Sequence, residues 1–227
     1  MNARQSRQGA LLRSRPDRKR ATHAKSGDAV LDLPGGRRAY LHVPVTALAV
    51  EKAPLAVMLH GAGGRGDSMR FAFAFAEKHG CVMLAPTAQG RTWDVILDDF
   101  GPDVTCVDDA LAETFARIPI DPRRLMIGGF SDGASYALSL GTPNGDLFTH
   151  IVAFSPGFMT GAPGNRGRPR VFVSHGTRDE VLPIDRTSRV LVPRLQSAGY
   201  DVTYREFDGA HTVPETIGRQ AFSWFLT

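Results

Sequence analysis

The chain has 227 residues, of which 42% are hydrophobic and 22% charged, the balance of a globular domain large enough to bury a full core. No apolar run approaches the ~20 residues that span a bilayer. The formal charge of +4 is unevenly spread: residues 1–27 hold eight Lys and Arg against the single acid Asp17, which leaves 19 basic and 22 acidic groups in the rest. The basicity thus belongs to the N-terminal stretch, and the remainder gives no support to nucleic-acid binding.

Residues 1–27 show almost no apolar periodicity and are expected to form a basic, disordered tail ahead of a domain spanning 28–227. Leu11 and Leu12 are followed at once by Arg13, so no secretory apolar stretch forms and a cytoplasmic location is expected. The Arg-rich, acid-poor character also suits a transit peptide or a polyanion-binding arm. Cys81 and Cys106 are too few for a disulfide framework in a chain this long and are expected to be free thiols.

The first expected strand is Arg38–Val43. Leu55–His60 is the second and runs into Gly61-Ala62-Gly63-Gly64. A helix is expected over Ser68–His79, then a strand over Cys81–Ala85 and a loop that carries Trp93. The turn also reads G-x-G-x-x-G (Gly61, Gly63, Gly66), the dinucleotide fingerprint. That motif requires an acid at the end of the following strand, where Pro86-Thr87 stands instead.

Ala110, Leu111, Phe115 and Ile118 give helical spacing around Asp108–Arg117. The strand Leu125–Phe130 ends in Gly129-Phe130-Ser131-Asp132-Gly133, which matches G-x-S-x-G, the sharp strand-to-helix turn that presents a nucleophilic serine. Composition alone yields roughly 0.1 such matches by chance. Its place between a buried strand and the helix Asp132–Leu140 is what marks it.

Strand His150–Phe154 and a Gly- and Pro-rich loop, Gly157–Pro169, precede strand Val171–His175. A serine hydroxyl needs a base, itself oriented by a carboxylate, and in this architecture the acid and then the histidine follow the serine in the chain. Asp179 lies just after Val171–His175. His211 lies just after the last strand, Val202–Phe207, with helices Ile184–Ala198 and Pro214–Leu226 flanking. Asp208, Asp185 and Asp201 are rival acids. His60 and His175 are read as supports for their own loops. The second oxyanion donor, beside the N–H of Asp132, is assigned to Ala62, with Gly63 next.

Strands alternating with helices indicate an α/β fold with a mostly parallel sheet covered on both faces. Its strands would bring Ser131, Asp179 and His211 to one edge. The segments LHGAGG (Leu59–Gly64), IDPRRLMIGGFSDGASYAL (Ile120–Leu138), HGTRDEVLPI (His175–Ile184) and DGAHTVP (Asp208–Pro214) resemble the small lidless α/β-hydrolases of the phospholipase/carboxylesterase group. Feruloyl esterases and polyhydroxyalkanoate depolymerase-like hydrolases share the likeness. The resemblance implies a lidless α/β-hydrolase fold acting on a small-molecule carboxylic ester of short to medium acyl chain, without metal or cofactor. It also implies a pocket role for Trp93, and Gly63 is expected to border the same pocket. An acyl thioesterase, a lysophospholipase and a catalytically silent binding protein stay open as alternatives.

Overall fold

The computed structural model describes residues 9–16, 25–160 and 166–227. Strands rich in Val, Leu, Ile and Met with little polar alternation can persist only where both faces are covered. Such segments make the interior of one eight-stranded sheet. The strands are β1 (Gly27–Leu33), β2 (Arg37–Val43), β3 (Ala53–Leu59), β4 (Val82–Pro86), β5 (Ile120–Phe130), β6 (His150–Phe154), β7 (Arg170–Gly176) and β8 (Val202–Phe207). Their order is β1-β2-β4-β3-β5-β6-β7-β8. The pairings β1–β2 and β2–β4 are antiparallel and the others parallel.

Helices α1 (Phe73–His79), α2 (Asp94–Leu97), α3 (Pro102–Arg117), α4 (Asp132–Gly141), α5 (Ser188–Ser197) and α6 (Glu215–Leu226) connect the strands. Successive side chains of a strand face opposite ways, and β3 shows the result. Leu55, Val57 and Leu59 pack in one cluster with α3, α4 and α5 residues such as Val107, Leu111, Tyr136 and Leu195. Ala56 and Met58 pack in the other, with Phe73 and Phe75 of α1 and Phe222 and Phe225 of α6. Among the described residues, no helix is long and apolar enough to cross a membrane.

Several elements differ from the sequence expectation for local reasons. Strand β1 was not anticipated; its first residues are exposed and only Leu31 and Leu33 are buried. Helix α3 begins at Pro102, a residue suited to a helix's first turn because its missing N–H would have no partner there. Ser68–His79 and Ile184–Ala198 each divide into a 3₁₀ turn and an α-helix. The breaks fall at Phe73 and at Thr187, whose φ of −124° and ψ of −99° are non-helical. Of the Gly157–Pro169 loop, residues 161–165 lie outside the described residues; the rest contains no helix and joins β7 only at its end.

The expectation of a disordered tail over 1–27 is overturned for residues 9–16. Ala10 and Leu12 are buried in the main cluster, and burying Leu12 contributes roughly 1.5–3 kcal/mol. The fully buried Asn144 accepts from the Leu12 N–H and donates to the carbonyls of Ala10 and Leu140. Asp108 accepts from the amides of Arg13 and Ser14, and Arg15 pairs with Asp146 at 2.8 Å. Residues 1–8 and 17–24 lie outside the described residues. Cys81 and Cys106 are free and buried.

Candidate active site

The parallel strands end on one edge, and the loops that follow β3, β5, β7 and β8 carry the glycine turn, Ser131, Asp179 and His211. The turn after β5 is held by main-chain crowding. A Cβ on Gly129 would lie 2.4 Å from the Gly133 carbonyl carbon, and one on Gly133 would lie 2.1 Å from the Leu59 oxygen. Only glycine lets α4 approach β3 and β5 this closely. Between them Ser131 adopts φ 59° and ψ −121°, a conformation that costs a side-chain-bearing residue about 1–3 kcal/mol. Its N–H donates to the Phe154 carbonyl, while its own carbonyl accepts from Ala134 and Ser135 at the start of α4.

The three side chains singled out from the sequence meet. His211 Nε2 lies 2.9 Å from Ser131 Oγ, and His211 Nδ1 lies 2.5 Å from Asp179 Oδ2. A carboxylate can only accept, so Nδ1 carries the hydrogen and Nε2 is left to accept from the serine hydroxyl. The Phe130 ring packs on the imidazole at 4.7 Å between centroids. Asp179 is buried, and its Oδ1 accepts from the amides of Val181 and Leu182. Burial raises its pKa, but the Leu182 amide, His211 and His175 together hold it below the usual carboxylate range.

The rival acids point elsewhere. Asp208 pairs with Arg178 at 2.8 Å and is largely exposed, Asp185 pairs with Arg189, and Asp201 with Arg170.

The loop after β3 packs on Ser131: a Cβ at Gly61 would be 3.3 Å from Ser131 Cβ. Neither the Ala62 N–H nor the Asp132 N–H, the first of α4, is matched to an acceptor among the described residues. The Gly63 N–H is spent on the Arg91 carbonyl at 2.7 Å, so Gly63 is not an open donor. His60 braces this loop, with Nδ1 at 2.8 Å from the Gly61 carbonyl and Nε2 accepting from the Ala88 N–H. Burial lowers its pKa against the pull of the Gly61 carbonyl. The Asp132 carboxylate accepts from Thr92 Oγ1 at 2.5 Å.

Trp93 does not line the pocket. It is fully buried, its indole N–H donates to the His60 carbonyl, and its ring packs against His60 and Tyr136. It is part of the floor that carries the glycine turn. The cleft itself, about 440 Å³, is bounded by Ala62, Met69, Phe71, Phe130, His211 and Val213. Met69 and Phe71 come from the 3₁₀ turn before α1, where the sequence suggested only helix. His175 is also drawn into the site, 3.1 Å from Asp179 Oδ2. The signal for it was its place four residues before the acid, on the same turn.

The profile of the phospholipase/carboxylesterase family matches residues 104–223, just over half of the chain, and takes in Ser131, Asp179 and His211. Among curated proteins, NocK of Nocardia uniformis subsp. tsuyamanensis, named for esterase activity, is 31% identical over 168 residues, covering 68% of this chain and 48% of that protein. "Probable feruloyl esterase C" of Aspergillus terreus is 24% identical over 158 residues, covering 66% of this chain and 57% of its own length. The chain thus spans about half the length of the curated relatives it matches. The crystal structure of esterase PE8 superposes with a TM-score of 0.65 at 22% identity, covering 88% of this chain and 98% of that one, which extends the likeness of fold to nearly the whole domain. The chain belongs to the phospholipase/carboxylesterase family and has the α/β-hydrolase fold.

Proposed function

We propose that this chain hydrolyses carboxylic esters of short to medium acyl chain, with Ser131 as nucleophile, His211 as general base and acid, and Asp179 as the group that orients it. The observation that carries the reading is the continuous contact from Ser131 Oγ through the His211 ring to Asp179 Oδ2, at 2.9 and 2.5 Å. His211 takes the Ser131 proton as Oγ attacks the ester carbonyl carbon. The N–H groups of Ala62 and Asp132 receive the oxyanion of the tetrahedral intermediate.

Collapse of that intermediate breaks the bond to the alcohol oxygen, which leaves with the proton held on His211. Water, deprotonated by the same histidine, attacks the acyl-serine. The second tetrahedral intermediate then releases the acid and restores the hydroxyl. Asp179, kept ionised by its three donors, favours the imidazolium that forms twice in the cycle. The apolar side chains of Met69, Phe71, Phe130 and Val213 suit an uncharged acyl or alkyl group beside the serine.

Ser131→Ala tests the reading. Its kcat on p-nitrophenyl butyrate is expected to fall by at least ~10³, with an unchanged melting temperature. Activity retained in that variant would remove Ser131 from the mechanism.

A further inference from the structure

His175, at the end of β7, is a fully buried titratable group that the proposed cycle does not use. Its Nε2 lies 2.8 Å from the Leu182 carbonyl oxygen and 3.1 Å from Asp179 Oδ2, and its Nδ1 lies 2.6 Å from Ser188 Oγ. Both neighbours of Nε2 are acceptors, so Nε2 carries the hydrogen. Nδ1 is then bare and accepts from the Ser188 hydroxyl. A neutral ring satisfies all three contacts, and burial lowers its pKa against the opposing pull of Leu182 and Asp179.

The consequence falls on Asp179. An aspartate's last torsion is broad and two-fold, so its oxygens must be fixed from outside. Oδ1 takes the Val181 and Leu182 amides and Oδ2 takes the His211 N–H, while His175 Nε2, whose hydrogen goes to the Leu182 carbonyl, lies 3.1 Å from the same Oδ2. Without His175, the Leu182 carbonyl would lose its donor on β7, and with it the hold on the segment whose amides fix Oδ1.

We propose that His175 is a positioning residue of this site: its Nε2–H, bonded to the Leu182 carbonyl and close to Asp179 Oδ2, fixes the acid and its loop against His211, and the Ser188 hydroxyl on α5 fixes the tautomer that makes this possible. The line of contacts thereby runs through five side chains, from Ser188 through His175, Asp179 and His211 to Ser131. The inference rests on the hydrolase reading above. The titratable groups that face this line are Asp179 and His211 themselves and Glu206, opposite His175 in the β7–β8 ladder and paired with Arg189.

Two substitutions separate the donor from the packing. His175→Gln places an amide N–H near the Nε2 position, whereas His175→Asn is too short to reach Asp179 from there. His175→Asn is expected to lower kcat on p-nitrophenyl butyrate by about 10- to 100-fold, the usual range for a lost outer partner, with KM unchanged. It also moves the acid limb of kcat/KM upward, because a carboxylate relieved of a neighbouring N–H dipole holds the imidazolium more strongly. His175→Gln recovers most of kcat and restores the limb. Ser188→Ala gives a smaller loss in the same direction and carries the test should His175→Asn not fold, as judged by circular dichroism and melting temperature.

Wild-type kcat and pH profile in His175→Asn would overturn the proposal. So would a His175→Gln variant as impaired as His175→Asn, or, where Asn does not fold, a wild-type profile in Ser188→Ala. Fluorophosphonate labelling of Ser131 and the Ser131→Ala loss stand apart from these results. If both hold and His175 proves indifferent, the hydrolase reading survives and this one does not.

Discussion

Ser131 and Asp179 are positioned by opposite means. At the turn after β5, Gly129 and Gly133 let main chain press on main chain, and Ser131 is fixed by crowding. After β7, Asp179 is held by two amides and the His211 ring, with the His175 ring 3.1 Å away bonded to the Leu182 carbonyl and itself held by Ser188. Crowding tolerates almost no added atom but is indifferent to charge. Hydrogen bonding tolerates changes of size better than changes of protonation. The two halves should therefore fail under different insults.

The largest effect is expected from Gly133→Ala. A methyl 2.1 Å from the Leu59 oxygen cannot be accommodated without moving β3 or α4, so both activity and the folded state should be lost. A stable, active Gly133→Ala protein, measured by thermal melting and esterase assay, would break the steric half of the comparison. Asp179→Asn should act the other way, leaving a folded protein but lowering kcat by about 10⁴, because the amide favours the wrong imidazole tautomer. Loss of the folded state along with kcat would show that the acid loop also carries the fold.

The smallest effect is one of pH. The pKa of Asp179 is depressed in the folded protein, so its contribution to stability is present above the ordinary carboxylate pKa and is lost as pH falls below it. The protection of the Val181 and Leu182 amides, which donate to Asp179 Oδ1, measured against the intrinsic exchange rate at each pH, should therefore fall on acidification. The protection of the Ser131 and Ala134 amides, which donate to carbonyls, should fall less. An equal loss of protection at both places would erase the distinction.

The same contrast explains what could be read from the sequence. The elbow was legible because steric constraints leave glycine no substitute, and Gly129 and Gly133 stand at fixed spacing around the serine. Asp179 was legible because it lies just past the apolar strand β7, and His211 because it lies in the glycine-bearing turn after the last strand. Features built from distant partners were not. His175 reads as a support for its own loop, and its contact with Ser188 on α5 emerges only in the fold. Strand β1 shows little apolar pattern because most of its side chains face water. Ala10 and Leu12 sit among arginines, and nothing nearby announces that Asn144 will receive them, 134 and 132 residues away. Trp93 was placed near the pocket correctly in the chain but wrongly in depth: its ring lies beneath the glycine turn instead of beside the substrate.

That depth gives the molecule an intrinsic optical probe. It has two tryptophans. Trp93 is sealed from solvent and bonded to the carbonyl of His60. Trp224 stands on α6 against His150, with the Arg170 guanidinium over its ring. Displacement of the glycine turn as an acyl group settles would perturb the emission of the first indole and leave the second as an internal reference, so that loop motion can be followed in the unlabelled protein.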